Sequence, residues 1–252
     1  MSKVKIQKTD AIILRRYPLR ETSILLVLYT KDFGKIKGVI KGVRGPRAQF
    51  GSFPEILTLN RIVFYESKKS ELFYITQCDL IDLFKNIRAD LERTAYASYA
   101  AELTDAATPP NEKCEELFTL LLNTLNLLCE PGSARRVTRI FEIKLLLIVG
   151  LMPELDGCVH CSKAVDADVK FSPKLGGLLC KNCLSSDTAA INISPGTINF
   201  IRHIKKTPYE KTLRVKVSKQ VGEEVENILR KFLDMHIDIK LKTLDFLKKI
   251  EK

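Results

Sequence analysis

Residues 22–42 read "TSILLVLYTKDFGKIKGVIKG", and this stretch decides the architecture of the first third of the chain. Two runs rich in Ile, Leu, Val and Tyr flank Asp32-Phe33-Gly34, a turn signal, so the stretch predicts two strands joined by a turn. The second run alternates with period two. Lys35, Lys37, Val39 and Lys41 share one face, while Ile36, Gly38 and Ile40 share the other. One face suits a core and the other presents cations.

Three further runs, "TDAIILRRY", "LTLNRIVFY" and "ELFYITQCDL", have the same texture. They are separated by Pro18, the loop "GVRGPRAQFGSFP" and the polar "ESKKS". Five short strands within residues 1–80 predict a small closed barrel, because closure removes exposed sheet edges. After residue 80 the spacing becomes helical. "NIRADLERTAYASYAAELTDAA" stops at Pro109-Pro110, "NEKCEELFTLLLNTLNLLCE" stops at Pro131-Gly132, and "SARRVTRIFEIKLLLIVGLM" ends before Pro153. Ser194-Pro195 predicts an N-cap with Pro at the first helical position, and "SKQVGEEVENILRKFLDMHIDIKL" predicts one long closing helix with Val221, Val225, Ile228, Leu229 and Phe232 on a stripe. The expected class is α+β: a five-stranded barrel over 1–80, then a helical domain over 81–252 interrupted at 157–184 by a cysteine module.

With 252 residues, 45% of them hydrophobic, the chain has enough apolar material for a packed core. The most apolar run, Leu145 to Val149, is far short of the roughly 20 residues of a membrane span. "MSKVKIQKTD" has no apolar signal core, and the seven cysteines are an odd number, so a reducing cytoplasm is expected rather than a disulfide framework. The net charge of +11 is unevenly placed. Residues 1–80 carry 15 Lys and Arg against 7 Asp and Glu, a net +8; residues 81–200 carry 12 against 15, a net −3; residues 201–252 carry 14 against 8, a net +6. A basic first domain fits a polyanionic partner, nucleic acid before anionic membrane, or lysines that only solvate a surface.

Cys158 and Cys161 are separated by two residues, eighteen residues follow, and Cys180 and Cys183 repeat the separation. The doubled motif is the spacing of a tetrahedral zinc site with four thiolates, since each short turn aims two sulfurs at one ion. A thioredoxin-like pair needs only one such motif. Four protein ligands leave no open coordination position, so the expected ion, Zn2+, is structural. His160 lies inside the first pair and could compete as a ligand or face solvent; Cys78, Cys114 and Cys129 read as small apolar residues. None of His160, His203 or His236 begins a His-x-Glu motif, and phosphate-loop and dinucleotide glycine motifs are absent. Residues 157–184 hold four Lys and two Asp, a net +2 that the −2 of a zinc tetrathiolate cancels, so the module is a poor polyanion contact.

The basic stretch is "GKIKGVIKGVRGPRAQFG", which offers Lys35, Lys37, Lys41, Arg44 and Arg47 without an acidic residue. Lysines along one strand face span about 20 Å, comparable to several phosphate spacings. Arginines suit bidentate phosphate contact and base stacking. Tyr17, Tyr29, Phe33 and Phe50 either stack bases or fill the barrel.

Several stretches together resemble the bacterial DNA repair and recombination mediator family RecO. They are "AIILRRYPLRETSILLVLYTKDFGKIKGVIKGVRGPRAQFG", "DLERTAYASYAAEL", "RIFEIKLLLIVGLMPELDGCVHC", "FSPKLGGLLCKNC" and "ISPGTINFI". The resemblance implies an N-terminal OB-fold followed by a helical domain with an embedded four-cysteine zinc module. It also implies a non-enzymatic protein of the cytoplasm and nucleoid that binds single- and double-stranded DNA and anneals complementary strands. Such proteins work with RecR and the single-strand DNA-binding protein to load the RecA recombinase. By position, Cys158, Cys161, Cys180 and Cys183 match zinc ligands, and Lys35, Lys37, Lys41, Arg44 and Arg47 fall in the DNA-binding segment. Some family members lack the cysteines, which makes zinc stabilising rather than obligatory. The family's helical domain takes the acidic C-terminal tail of the single-strand-binding protein, for which Arg135, Arg136 and Arg139 are the candidates here.

Two other classes compete with this expectation. An NAD-dependent deacylase with a structural zinc lobe requires a glycine-rich dinucleotide motif, which is absent. A zinc-containing transcription regulator would read sequence through a recognition helix.

Overall fold

The computed structural model describes residues 5–19, 21–42, 54–66, 72–165, 168–212, 215, 217–237 and 241–250. Five strands come first: β1 (Ile6–Leu19), β2 (Ser23–Thr30), β3 (Gly34–Ile40), β4 (Leu59–Glu66) and β5 (Phe73–Asp82). Helices α1 (Lys85–Arg88), α2 (Leu91–Ala107), α3 (Glu115–Cys129) and α4 (Ala134–Ile148) follow. Then come β6 (Glu154–Cys158), β7 (Val169–Ser172), β8 (Gly177–Cys180), a 3₁₀ helix over Lys181–Ser186, and β9 (Ile191–Asn192). The last helices are α5 (Pro195–Lys206), α6 (Tyr209–Thr212), α7 (Lys219–His236) and α8 (Lys242–Ile250). The chain forms two compact units, residues 1–134 with 241–252, and residues 135–240.

In the first unit the five strands close into a barrel in the order β1-β2-β3-β5-β4, with β4 pairing back onto β1 and a parallel contact between β3 and β5. This is the expected five-stranded barrel of OB type. Its interior follows from the alternation in residues 22–42. Ile24, Leu26 and Leu28 of β2 lie opposite Ile40, Gly38 and Ile36 of β3, and all six are buried. Gly38 is required because a Cβ there would lie 2.5 Å from the Ile75 side chain, which occupies that space. Phe33, Phe64 and Phe73 complete the core as an edge-to-face series with 5.2 Å between successive centroids. The turn between β2 and β3 is held by the buried Thr30 hydroxyl, which accepts from the Phe33 N–H at 3.0 Å and donates to the Gly34 carbonyl at 2.8 Å.

The barrel rests on the segment between α2 and α3. The Asn111 N–H donates to the Lys35 carbonyl at 2.8 Å, and Lys35 bridges to Pro110. Gly34 has φ +64°, and a Cβ on it would lie 1.8 Å from the Glu112 carbonyl oxygen. Helix α2 is separated from α1 because Asp90, extended, caps it by accepting from the Arg93 N–H at 3.0 Å. The continuous helical spacing from Asn86 onward concealed this break. Four alanines of α2, Ala95, Ala97, Ala100 and Ala101, are buried beside Tyr96 and Tyr99, so small residues let neighbours approach the helix closely.

In the second unit, β6 to β9 form a sheet in the order β6-β8-β7-β9. These strands were not foreseen, because residues 154–192 alternate too briefly to stand out. Ser194 caps α5 as expected, accepting from the Thr197 N–H at 3.3 Å with Pro195 at the first position. Val225, Ile228, Leu229 and Phe232 of α7 are buried as expected. The closing helix stops at His236 rather than at Leu241, since Ile237 turns extended and the His236 ring bonds the Pro173 carbonyl at 2.8 Å. A separate helix, α8, covers Lys242–Ile250, and its start is held by Glu102 of α2, whose carboxylate accepts from the Thr243 N–H at 2.9 Å and hydroxyl at 2.6 Å.

The crowding at Gly34 predicts that Gly34→Ala destabilises the first unit by about 2–4 kcal/mol, combining left-handed strain with backbone overlap. Gly42→Ala also places alanine at positive φ, +72°, but meets nothing within 4 Å. It should cost about 1 kcal/mol. Urea unfolding of both variants checks the difference.

Candidate functional site

The first cysteine pair lies where β6 ends. The Cys158 N–H donates to the Lys163 carbonyl at 2.9 Å and the Ser162 N–H to the Cys158 carbonyl at 2.8 Å, which folds the chain back within five residues. Ser162 has a φ of +58° in this reversal. The second pair lies where β8 passes into the 3₁₀ helix. Because β6 and β8 are parallel neighbours, with Cys158 opposite Leu178, the two pairs arrive at the same end of the sheet. All four sulfurs lie within 4.8 Å of one another, and Cys161 and Cys180 are 3.8 Å apart. A zinc–sulfur bond of about 2.3 Å in a tetrahedron sets sulfurs about 3.8 Å apart, so the donor set fits a zinc-like ion. The exposed His160 is outside this cluster.

The electrostatics of the cluster favour a cation. Burial opposes ionisation of Cys158, but N–H groups of Cys180, Cys161 and His160 outweigh it and bring the thiol down to about 6. Cys183 is pushed up to about 12, by burial first and then by hydrogen bonding with the neighbouring cysteine sulfurs. One thiolate is thus stabilised without help, and a second thiol gives up its proton only to a positive charge. Among the described residues, Leu179, Val159, Val165, Leu184 and Ala190 form a small apolar cluster with the cysteines.

On the barrel, Lys35 and Lys37 share the outward face of β3 as the alternation requires and Lys41 follows directly after the strand, but their surroundings differ. Lys37 and Lys41 are exposed. The Lys35 side chain is only 13% exposed, and its ammonium lies 3.1 Å from the Asp105 carboxylate of α2. It is therefore committed to the helix that supports the barrel. Arg44, Arg47 and Phe50 lie outside the described residues. Phe33 packs against the barrel core, whereas Tyr29, opposite Lys35 on the outer face of β2, is buried outside it, and Tyr17 is exposed. Further along the outer surface, Tyr65 of β4 and Tyr74 of β5 lie side by side with centroids 5.5 Å apart. The Lys41 ammonium is 4.4 Å from the Tyr74 centroid. This tyrosine pair was not among the aromatics expected at the surface. In the sequence the two tyrosines flank the polar stretch of "FYESKKSELFY", and only the pairing of β4 with β5 brings them together.

Residues 1–84 match the family described as Recombination protein O N terminal, and residues 88–245 match Recombination protein O C terminal. The chain belongs to the RecO family. It is 33% identical over 244 residues to the DNA repair protein RecO of Pelotomaculum thermopropionicum, covering 97% of this chain and 94% of that protein. It is 31% identical over 249 residues to the DNA repair protein RecO of Thermoanaerobacter sp., covering 98% and 99%. The RecO models meet between residues 84 and 88, where β5 has ended and α1 begins.

The three arginines named for a partner in this RecO-family chain do not share one surface role. Arg139 is 4% exposed and pairs at 2.9 Å with the fully buried Glu142 of its own helix. Arg136 donates to the Val215 carbonyl. Arg135 pairs with Glu226 of α7 at 2.5 Å, while 42% of its side chain stays exposed. Among the described residues, no helix is long and apolar enough to cross a membrane.

If the cluster holds zinc, Cys183→Ser should reduce bound metal from about one equivalent to near zero. It should also lower the melting temperature by on the order of 10 °C, as loss of several kcal/mol requires. Metal analysis and thermal melting of the same sample test this. Because Cys183 keeps its proton through neutral pH, zinc must displace that proton. Zinc affinity measured by chelator competition should therefore fall at least about tenfold between pH 8 and pH 7.

Proposed function

We propose that this RecO-family DNA repair protein is a non-catalytic recombination mediator. Its barrel, residues 1–80, holds single- and double-stranded DNA mainly through the sugar-phosphate backbone. The remainder, 81–252, receives protein partners. In this reading the protein anneals complementary strands and, with RecR and the single-strand DNA-binding protein, helps load RecA in the nucleoid. The observation that carries the proposal is a full-length match to a DNA repair family, combined with a barrel face on which Lys37 and Lys41 stand exposed. Zinc in the cysteine cluster, held by Cys158, Cys161, Cys180 and Cys183, stabilises a lobe that has little apolar core of its own. Of the three arginines, Arg135 keeps the exposure that an acidic tail would need.

The deciding experiment is annealing of complementary oligonucleotides coated with single-strand-binding protein. Annealing without ATP supports the proposal, and failure to anneal or to bind DNA at low salt removes it. A salt titration then assigns the face. Lys37→Glu and Lys41→Glu should each lower the slope of log K against log salt for single strands by roughly 0.7, one lost phosphate contact. Lys35→Met should leave the slope unchanged, because that ammonium is already neutralised by Asp105. Equal slopes in all three variants would take β3 out of the DNA face.

A further inference from the structure

The outer surface of the barrel carries more than cations. The strand registers set Ile6 opposite Tyr65, Tyr65 opposite Tyr74, and Tyr74 opposite Val39. Residues directly opposite share a face, so an apolar row crosses β1, β4, β5 and β3 at strand spacings of about 4.8 Å. Ile6 is 69% exposed, and Tyr65 and Tyr74 are half-buried. Each ring is therefore anchored along one side and open along another. Exposed Lys8 on β1, and exposed Lys37 on β3 with Lys41 just beyond its end, flank the row at its two ends. Two adjacent aromatic rings with cations on both sides are the components of a surface for unpaired bases, since every base has a face to stack while its phosphate seeks an ammonium.

Resting on the DNA-binding reading above, we infer that Tyr65 and Tyr74 are base-stacking residues that give the barrel a preference for single-stranded over duplex DNA. In the free protein the Lys41 ammonium, 4.4 Å from the Tyr74 centroid, covers that ring. A cation over an exposed aromatic ring is held more weakly than a stacked base, so an incoming base displaces it. The released ammonium is then within reach of the phosphate attached to that base. Duplex DNA keeps its bases stacked on one another and offers the tyrosines nothing. The neighbouring Glu66, the last residue of β4, is exposed and repels phosphate beside Tyr65, which favours a strand path from Tyr74 toward Lys41 and Lys37.

The test uses the full chain and three probes of equal length: oligothymidylate, an abasic sugar-phosphate strand, and a duplex. Tyr74→Leu and Tyr65→Leu should each weaken binding of oligothymidylate about tenfold. Binding of the abasic strand and the duplex should stay within about twofold, and the salt slope should not change. Tyr74→Phe, which keeps the ring, should restore binding of oligothymidylate. The chain contains no tryptophan, so Tyr74→Trp provides a single reporter whose fluorescence should be quenched by oligothymidylate and not by the abasic strand. This reporter decides the matter even if a leucine variant folds poorly. Equal losses on oligothymidylate and the abasic strand, no loss on either, or fluorescence of the Tyr74→Trp variant that oligothymidylate leaves unquenched would overturn the inference while leaving backbone binding intact. Failure of the unaltered protein to bind any of the probes would instead remove the DNA-binding reading, and this one with it.

Discussion

The Asp105 carboxylate lies 2.6 Å from the Arg15 guanidinium of β1 and 3.1 Å from the Lys35 ammonium of β3, with its side chain 17% exposed. Both strands belong to the barrel and Asp105 belongs to α2, so one partly shielded carboxylate fixes the helix against two strands at once. Three charges meeting in this setting are held more firmly than a solvent-exposed pair, because screening is weaker and no partner can leave without stranding another. The contacts of Gly34 and Lys35 with residues 110–112 follow the same line of attachment. Glu102, one turn earlier on α2, extends it by holding the start of α8. The first unit is thus a barrel bound to a helical support, and the support determines which part of the barrel surface stays open.

That constraint separates two kinds of lysine on one strand. Lys35 neutralises the support and leaves solvent; Lys37 and Lys41, two and six residues further on, remain outside the covered area. The open end of the strand is also the end nearest Tyr74 and Tyr65, so charge and aromatic surface coincide there. Exposed charge and aromatic surface are therefore concentrated toward the β3–β5–β4 side rather than spread along β3.

The cysteine module follows a different logic. Its strands have two to five residues, and the apolar cluster around the sulfurs is small. Such a lobe supplies little buried area to order itself, and its four cysteines are placed so that they could hold a metal ion that would stand in for a core. The doubled two-residue spacing made this legible from the sequence, because metal geometry acts over a few residues. The sheet beneath the cysteines was not legible, since its pairings are short and one of them, β6 with β8, joins segments about twenty residues apart through a parallel contact.

Local periodicity determined a good deal without any structure. The inward set Ile36, Gly38 and Ile40, the cap at Ser194, the cysteine spacing and the existence of a barrel all follow from rules that operate within a turn or a strand. Only the tertiary structure decided what each outward side chain meets. Alternation places Lys35, Lys37 and Lys41 on one face, yet Asp105, seventy residues beyond Lys35, removes the first of them. Helical spacing places Arg139 on α4, yet Glu142 and the surrounding apolar residues enclose it. Neither pattern gives a reason to connect Tyr65 with Tyr74 until β4 and β5 pair. The face a residue occupies is set by backbone geometry a few bonds away, whereas its availability to a partner is set by whatever else the chain packs against it, and that information is distributed over the whole fold.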